Sequence, residues 1–98
     1  MSKNVLVYVI ANTGYNDNHI YRCNILIDDN GNFIRQTSNF EAVNEHIDVP
    51  DEIYNKLHKF YDENELRLRA AELENASTLG ISKGVCSHCI MTLYSNND

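Results

Sequence analysis

The pair Asn30-Gly31 constrains this chain more than any other feature, because it follows a run that alternates in polarity, residues 21–27, and precedes a further strand through Thr37. Asn and Gly tolerate the positive φ that both central positions of a type I′ turn require, so the pair predicts a two-residue hairpin. That register sets Asp29 opposite Asn32, Asp28 opposite Phe33 and Ile27 opposite Ile34, with the two isoleucines on one face. Tyr21, Cys23, Ile25 and Ile27 alternate with Arg22 and Asn24 as a strand with one buried face. Upstream, Val5-Leu6-Val7-Tyr8-Val9-Ile10-Ala11 is apolar throughout, the pattern of a central strand covered on both sides. Residues 1–37 therefore read as a three-stranded antiparallel meander, with a polar loop over residues 12–19.

After Ser38 the pattern becomes helical. A short turn is expected over residues 40–44, and a helix after Asp48-Val49-Pro50, where Asp can cap and Pro suits the first turn. Ile53, Leu57, Phe60 and Tyr61 make its apolar stripe, and Leu66, Ala70 and Leu73 make a second. Leu57 and Leu66 are nine positions apart, a rotation of about 180° on an α-helix, so the two stripes face opposite ways. A break at Asp62 reconciles them: Asp62 caps a new helix, Glu65 closes the capping box, and Glu63–Arg67 and Glu65–Arg69 support it at i,i+4 spacing. The alternative is one long helix covered on both sides, which requires a homodimer. Beyond Gly80 and Gly84, the residues Val85, Cys86, Cys89, Ile90, Leu93 and Tyr94 recur at helical spacing, with a short edge strand as the alternative. The expected fold is α+β. One domain spans residues 1–98, with sheet in 1–37 and mainly helix in 38–98, two or three helices packing on one face of the sheet.

Charge narrows the function. Residues 1–40 balance Lys3, Arg22 and Arg35 against Asp17, Asp28 and Asp29, whereas from Glu41 onward eleven carboxylates face only Lys56, Lys59, Arg67, Arg69 and Lys83. A formal charge of −6 with no basic cluster argues against direct nucleic-acid binding, which needs grouped Lys and Arg. An acidic surface instead steers a domain toward a protein with a basic patch. No apolar run reaches the length of a membrane span. Three cysteines, an odd number, fit a reducing compartment, so a cytoplasmic location is expected. Fourteen asparagines point to an AT-rich genome, compatible with a bacteriophage or mobile element.

The candidate partner-binding residues are Tyr15, Asp17 and His19 in the first loop and Asp51, Glu52, Asp62, Glu63 and Glu65 on an acidic helical face. The expected function is a small acidic binding protein that blocks or modulates another protein, without a catalytic site or cofactor. Cys86-Ser87-His88-Cys89 offers a second reading, a zinc-binding module, since thiolates three apart can share one ion. Four ligands are usual, and the remaining donors, His19, His46, His58 and Cys23, are scattered. A nucleophilic Cys86 or Cys89 would need His58 or His88 within hydrogen-bond reach as its base. A calcium loop at Asp28-Asp29-Asn30-Gly31 fails because its first ligand position falls on Leu26. A self-associating ligand sensor is the remaining class.

Overall fold

In the computed structural model, which describes residues 1–12 and 17–95, the two longest apolar runs pair with each other. β1 (Lys3–Ala11) and β2 (His19–Ile27) are antiparallel in unbroken register, from Lys3 opposite Ile27 to Ala11 opposite His19. β3 (Phe33–Gln36) pairs with β2, giving the order β1-β2-β3 and making β2, not the more apolar β1, the central strand. A fourth strand, β4 (Glu41–Ala42), also pairs with β2, with Tyr21 opposite Ala42 and Arg22 opposite Glu41. Two of the five residues of the turn expected over residues 40–44 are thus in a strand. Around it, Phe40 and Ala42 pack in one core cluster and Val43 in the other.

The hairpin departs from a type I′ turn. Gly31 has φ +83°, but no other residue in the turn has positive φ. Asp28 supplies the reason: its carboxylate accepts the backbone N–H groups of Asn30 and Asn32, both at 2.9 Å, and its carbonyl accepts that of Gly31 at 3.0 Å. This carboxylate-centred turn satisfies the amides while only the glycine enters left-handed space. The same bonds, that from the Asn32 amide foremost, hold the Asp28 carboxyl below its ordinary range. Ile27 consequently faces Phe33 and not Ile34, and the expected register resumes at Leu26–Arg35 and Ile25–Gln36 after a bulge.

The expected helix after Pro50 is only a 3₁₀ turn, Asp51–Asn55. Pro50 occupies its N-cap without a side-chain bond, and Lys56 returns to extended backbone. Nothing caps or prolongs it, and tertiary anchoring of Ile53, which is fully buried, holds it in place. Leu57 is wholly exposed, so the stripe of Ile53, Leu57, Phe60 and Tyr61 does not form. Tyr61 instead exchanges two backbone hydrogen bonds with Tyr8, at 2.9 and 2.8 Å.

The break at Asp62 is present. α1 (Glu63–Thr78) starts with both halves of the capping box: Asp62 Oδ1 accepts Glu65 N–H at 2.8 Å, and Glu65 Oε1 accepts Asp62 N–H at 3.2 Å. Arg67 bonds Glu63 at 3.0 Å as expected, but Arg69 bonds Glu72 at 3.1 Å and not Glu65, whose carboxylate serves the box. At the other end Gly80, with φ +74°, closes a Schellman cap in which Ile81 N–H reaches Ala76 O and Gly80 N–H reaches Ser77 O. The final segment is a helix, α2 (Ser87–Ser95), preceded by a single parallel bridge between Val85 and Asn18.

The core has two clusters separated by sheet alternation. Val7, Val9, Ala11, Tyr21, Cys23 and Ile25 pack with Phe40 and Ile53, while Tyr8 and Ile20 pack with Leu66, Ala70, Val85, Cys89 and Leu93. The helical elements are therefore not all on one side. Ile53 of the 3₁₀ turn joins the odd-numbered strand residues, and α1 and α2 join the even-numbered ones. Among the described residues no helix is long and apolar enough to cross a membrane.

Candidate functional site

The acidic residues picked out from sequence do not form one helical face. Asp51 and Glu52 are exposed on the 3₁₀ turn, while Asp62, Glu63 and Glu65 belong to the cap and first turn of α1. Three of the five already have partners, since Asp62 and Glu65 bond each other's backbone and Glu63 bonds Arg67. Asp17 is exposed, whereas His19 is buried and so is no surface contact. Tyr15 lies outside the described residues.

What lies between the two acidic groups escaped the periodicity argument. Phe33 at the start of β3 stacks on Phe60, with ring centroids 5.4 Å apart and planes 14° from parallel. The stacked pair is a wall common to two hollows. One, of about 440 Å³, is lined by Phe40, Ile53, Tyr54, Leu57 and His58 together with the pair. The other, of about 430 Å³, is lined by Val5, Val7, Ile25 and Ile27 with Asp62 and Glu65 beside the same pair. Phe33 and Tyr54 are half exposed and Leu57 fully so.

Polar bonds fasten the groove from below. Phe40 N–H donates to Tyr54 Oη at 2.9 Å, and His58 Nε2 lies 2.7 Å from the Ile53 carbonyl, which it serves as donor. The Phe40 ring meets Tyr54 at 5.2 Å and His58 edge-on at 5.7 Å. Lys56, which also lines the first hollow, donates to Asn12 O at 3.1 Å. Half-exposed Phe33 and Tyr54 thus sit on a scaffold whose polar groups are engaged. The sequence signal for it was indirect: apolar residues in the stretch 53–60 that helical packing leaves uncovered.

The cysteine motif gathers a different set of residues. Asn18 N–H donates to Gly84 O at 2.9 Å and Cys86 N–H donates to Asn18 O at 2.8 Å, so the bridge sets the start of β2 against the start of α2. Asn18 Nδ2 adds bonds to the Lys83 and Gly84 carbonyls, each at 3.1 Å. From behind, the Glu74 carboxylate of α1 accepts Val85 N–H at 2.6 Å. It lies so close to Gly84 that a Cβ there would meet its oxygen at 2.9 Å. The residue after Asn18 is His19, and its Nδ1 lies 3.6 Å from Cys89 Sγ. Asn44 Nδ2 lies 3.8 Å from Cys86 Sγ. The donor atoms of His19, Cys86 and Cys89 all fall within 4.8 Å of one another.

Burial governs the charges there. It lowers the His19 pKa, against a weaker opposing pull from Asp17, and it pushes the Cys89 thiol up to about 11. A thiol so placed carries little thiolate at neutral pH. Neither base suggested by sequence is the histidine bonded to Cys89. His58 bonds Ile53 O, and His88 meets the His46 ring at 5.1 Å in a more exposed group with Glu45. Cys23 packs in the other core cluster. Comparison with protein-family models, curated proteins and solved structures returned no match.

Proposed function

We propose that this protein acts by binding another protein, with the Phe33–Phe60 groove as the contact and the acidic groups around it as the guide. The observation that carries this reading is the exposure of Phe33, Tyr54 and Leu57 around hollows whose polar groups are already bonded. Large aromatic and aliphatic surface of this kind gains free energy when a partner covers it, and rigid aromatic side chains are frequent anchors of protein interfaces. Asp62 and Glu65 line the second hollow, and Asp51 and Glu52 precede the lining residue Ile53 on the 3₁₀ turn. The complementary partner presents an apolar side chain flanked by Lys or Arg. Capping such a basic surface would block whatever else binds there, which is the inhibitory mode expected of a small acidic domain.

The test is a tagged pull-down from host-cell lysate, quantified by mass spectrometry at low and moderate salt, with the wild type beside Leu57→Asp and Phe33→Ser. A stoichiometric partner that weakens with salt and is lost with both variants, while their circular dichroism is unchanged, supports the groove. A partner retained by both variants would refute it. Recovery of the chain alone, with doubled mass in solution, would move the reading to self-association.

A further inference from the structure

We infer that His19, Cys86 and Cys89 form a binding site for a thiophilic divalent metal ion, with zinc the natural occupant. Two sulfur donors and one imidazole nitrogen lie within 4.8 Å of one another, and His19 Nδ1 and Cys89 Sγ, 3.6 Å apart, already stand at the roughly 3.3–3.8 Å that separates donors around a tetrahedral zinc with bonds of roughly 2.0–2.3 Å. They come from two elements held together by backbone. The Asn18–Val85 bridge joins the residue before His19 to the residue before Cys86, and one helical turn carries the chain from Cys86 to Cys89.

The donor types select the metal. Thiolate and imidazole together suit Zn(II) and exclude Ca(II) and Mg(II), which take oxygen. Three protein donors leave one tetrahedral position for water or an exchangeable ligand, and the half-buried Cys86 is the most exposed of the three. On binding, the protons of the cysteine thiols pass to solvent and the imidazole contributes the lone pair of Nδ1; no electron is transferred. Outside the donors, the Asn44 side chain already approaches the Cys86 sulfur at 3.8 Å, the kind of outer contact that orients a thiolate ligand. Cys23 and His58, on the other face of the sheet, take no part.

This site is independent of the aromatic groove and is tested separately. Reduced, metal-free protein is titrated with Zn(II) alone in competition with a chromophoric chelator, and with Co(II) as a spectroscopic probe. One ion per chain, a thiolate-to-cobalt charge-transfer band and the intense visible bands of tetrahedral Co(II) are expected. Cys86→Ser, at a half-buried position, is expected to weaken zinc by more than the ~10–100-fold that loss of an outer contact costs. Cys23→Ala leaves the affinity unchanged. Absence of one-to-one binding to the folded reduced chain would overturn the site. So would a cobalt spectrum without a thiolate band, or affinity that survives Cys86→Ser but is lost in His46→Ala, which would place the ion at Glu45, His46 and His88. The wild-type cobalt spectrum decides the matter even if a variant does not fold.

Discussion

His19 and Cys89 are seventy residues apart in the chain, yet His19 Nδ1 lies 3.6 Å from Cys89 Sγ. Backbone bonding at the neighbouring residues sets this approach. Asn18 takes both Gly84 and Cys86 as partners, and Glu74 secures Val85 from the opposite side.

Glu74 is therefore expected to matter more than an exposed helical glutamate usually does. Glu74→Ala strips a partly buried amide of its charged acceptor and should cost about 1–3 kcal/mol, read from urea unfolding. Gly84→Ala crowds the same carboxylate, so the double variant should lose less than the sum of the two single effects. Strict additivity would mean that the two positions act on different bonds.

Gly31→Ala isolates conformational cost. Nothing lies within 4 Å of a Cβ built there, but its φ is +83°. The loss should be about 1 kcal/mol and should be smaller for Gly31→Asn, a residue that enters left-handed space more readily. Thermal unfolding of the two variants compares them directly.

Ile53 and Leu57 stand four residues apart on one short segment and should behave oppositely. Ile53→Ala empties a fully buried site and is expected to cost about 2–5 kcal/mol. Leu57→Ser, at a fully exposed site, should alter stability by no more than ~0.5 kcal/mol while weakening partner binding. Chemical unfolding gives the first quantity and the pull-down the second.

Alkali should weaken the fold through Cys23. Burial pushes its thiol from 9.0 up to about 11. The folded state thus holds its proton more tightly than the unfolded chain, and the stabilisation is whole below about pH 9 and lost as pH climbs toward 11. The amount is on the order of 2 kcal/mol. Cys23→Ala should lose visibly less stability than the wild type between pH 8 and 10.5 in matched urea titrations.

The features that were readable in the sequence are those whose cause is local. The Asp62–Glu65 capping box depends on a spacing of three residues, and the strand alternation of Tyr21, Cys23 and Ile25 on a period of two. Asn30-Gly31 marked the hairpin, but the Asp28 carboxylate, two residues before Asn30, decided which turn formed there. β4 has only two residues, too few for any period to register, and the 3₁₀ turn is held by the burial of Ile53 without a cap. The set of His19, Cys86 and Cys89 was beyond reach for another reason. Cys86 and Cys89 were visible as a spaced pair, but their histidine was one of several until the Asn18–Val85 bridge selected it.

The double bond between Tyr8 and Tyr61 also bears on how copies of this protein meet. β1 is a terminal strand of the sheet, and an outer strand is the natural template for open-ended addition of further chains, the route from a small sheet to a fibril. At Tyr8, one residue past its middle, both main-chain groups are already taken by a segment that leads at once into the capped start of α1. An incoming strand finds that template interrupted, so growth along this side of the sheet is blocked unless residues 60–62 are first pulled away.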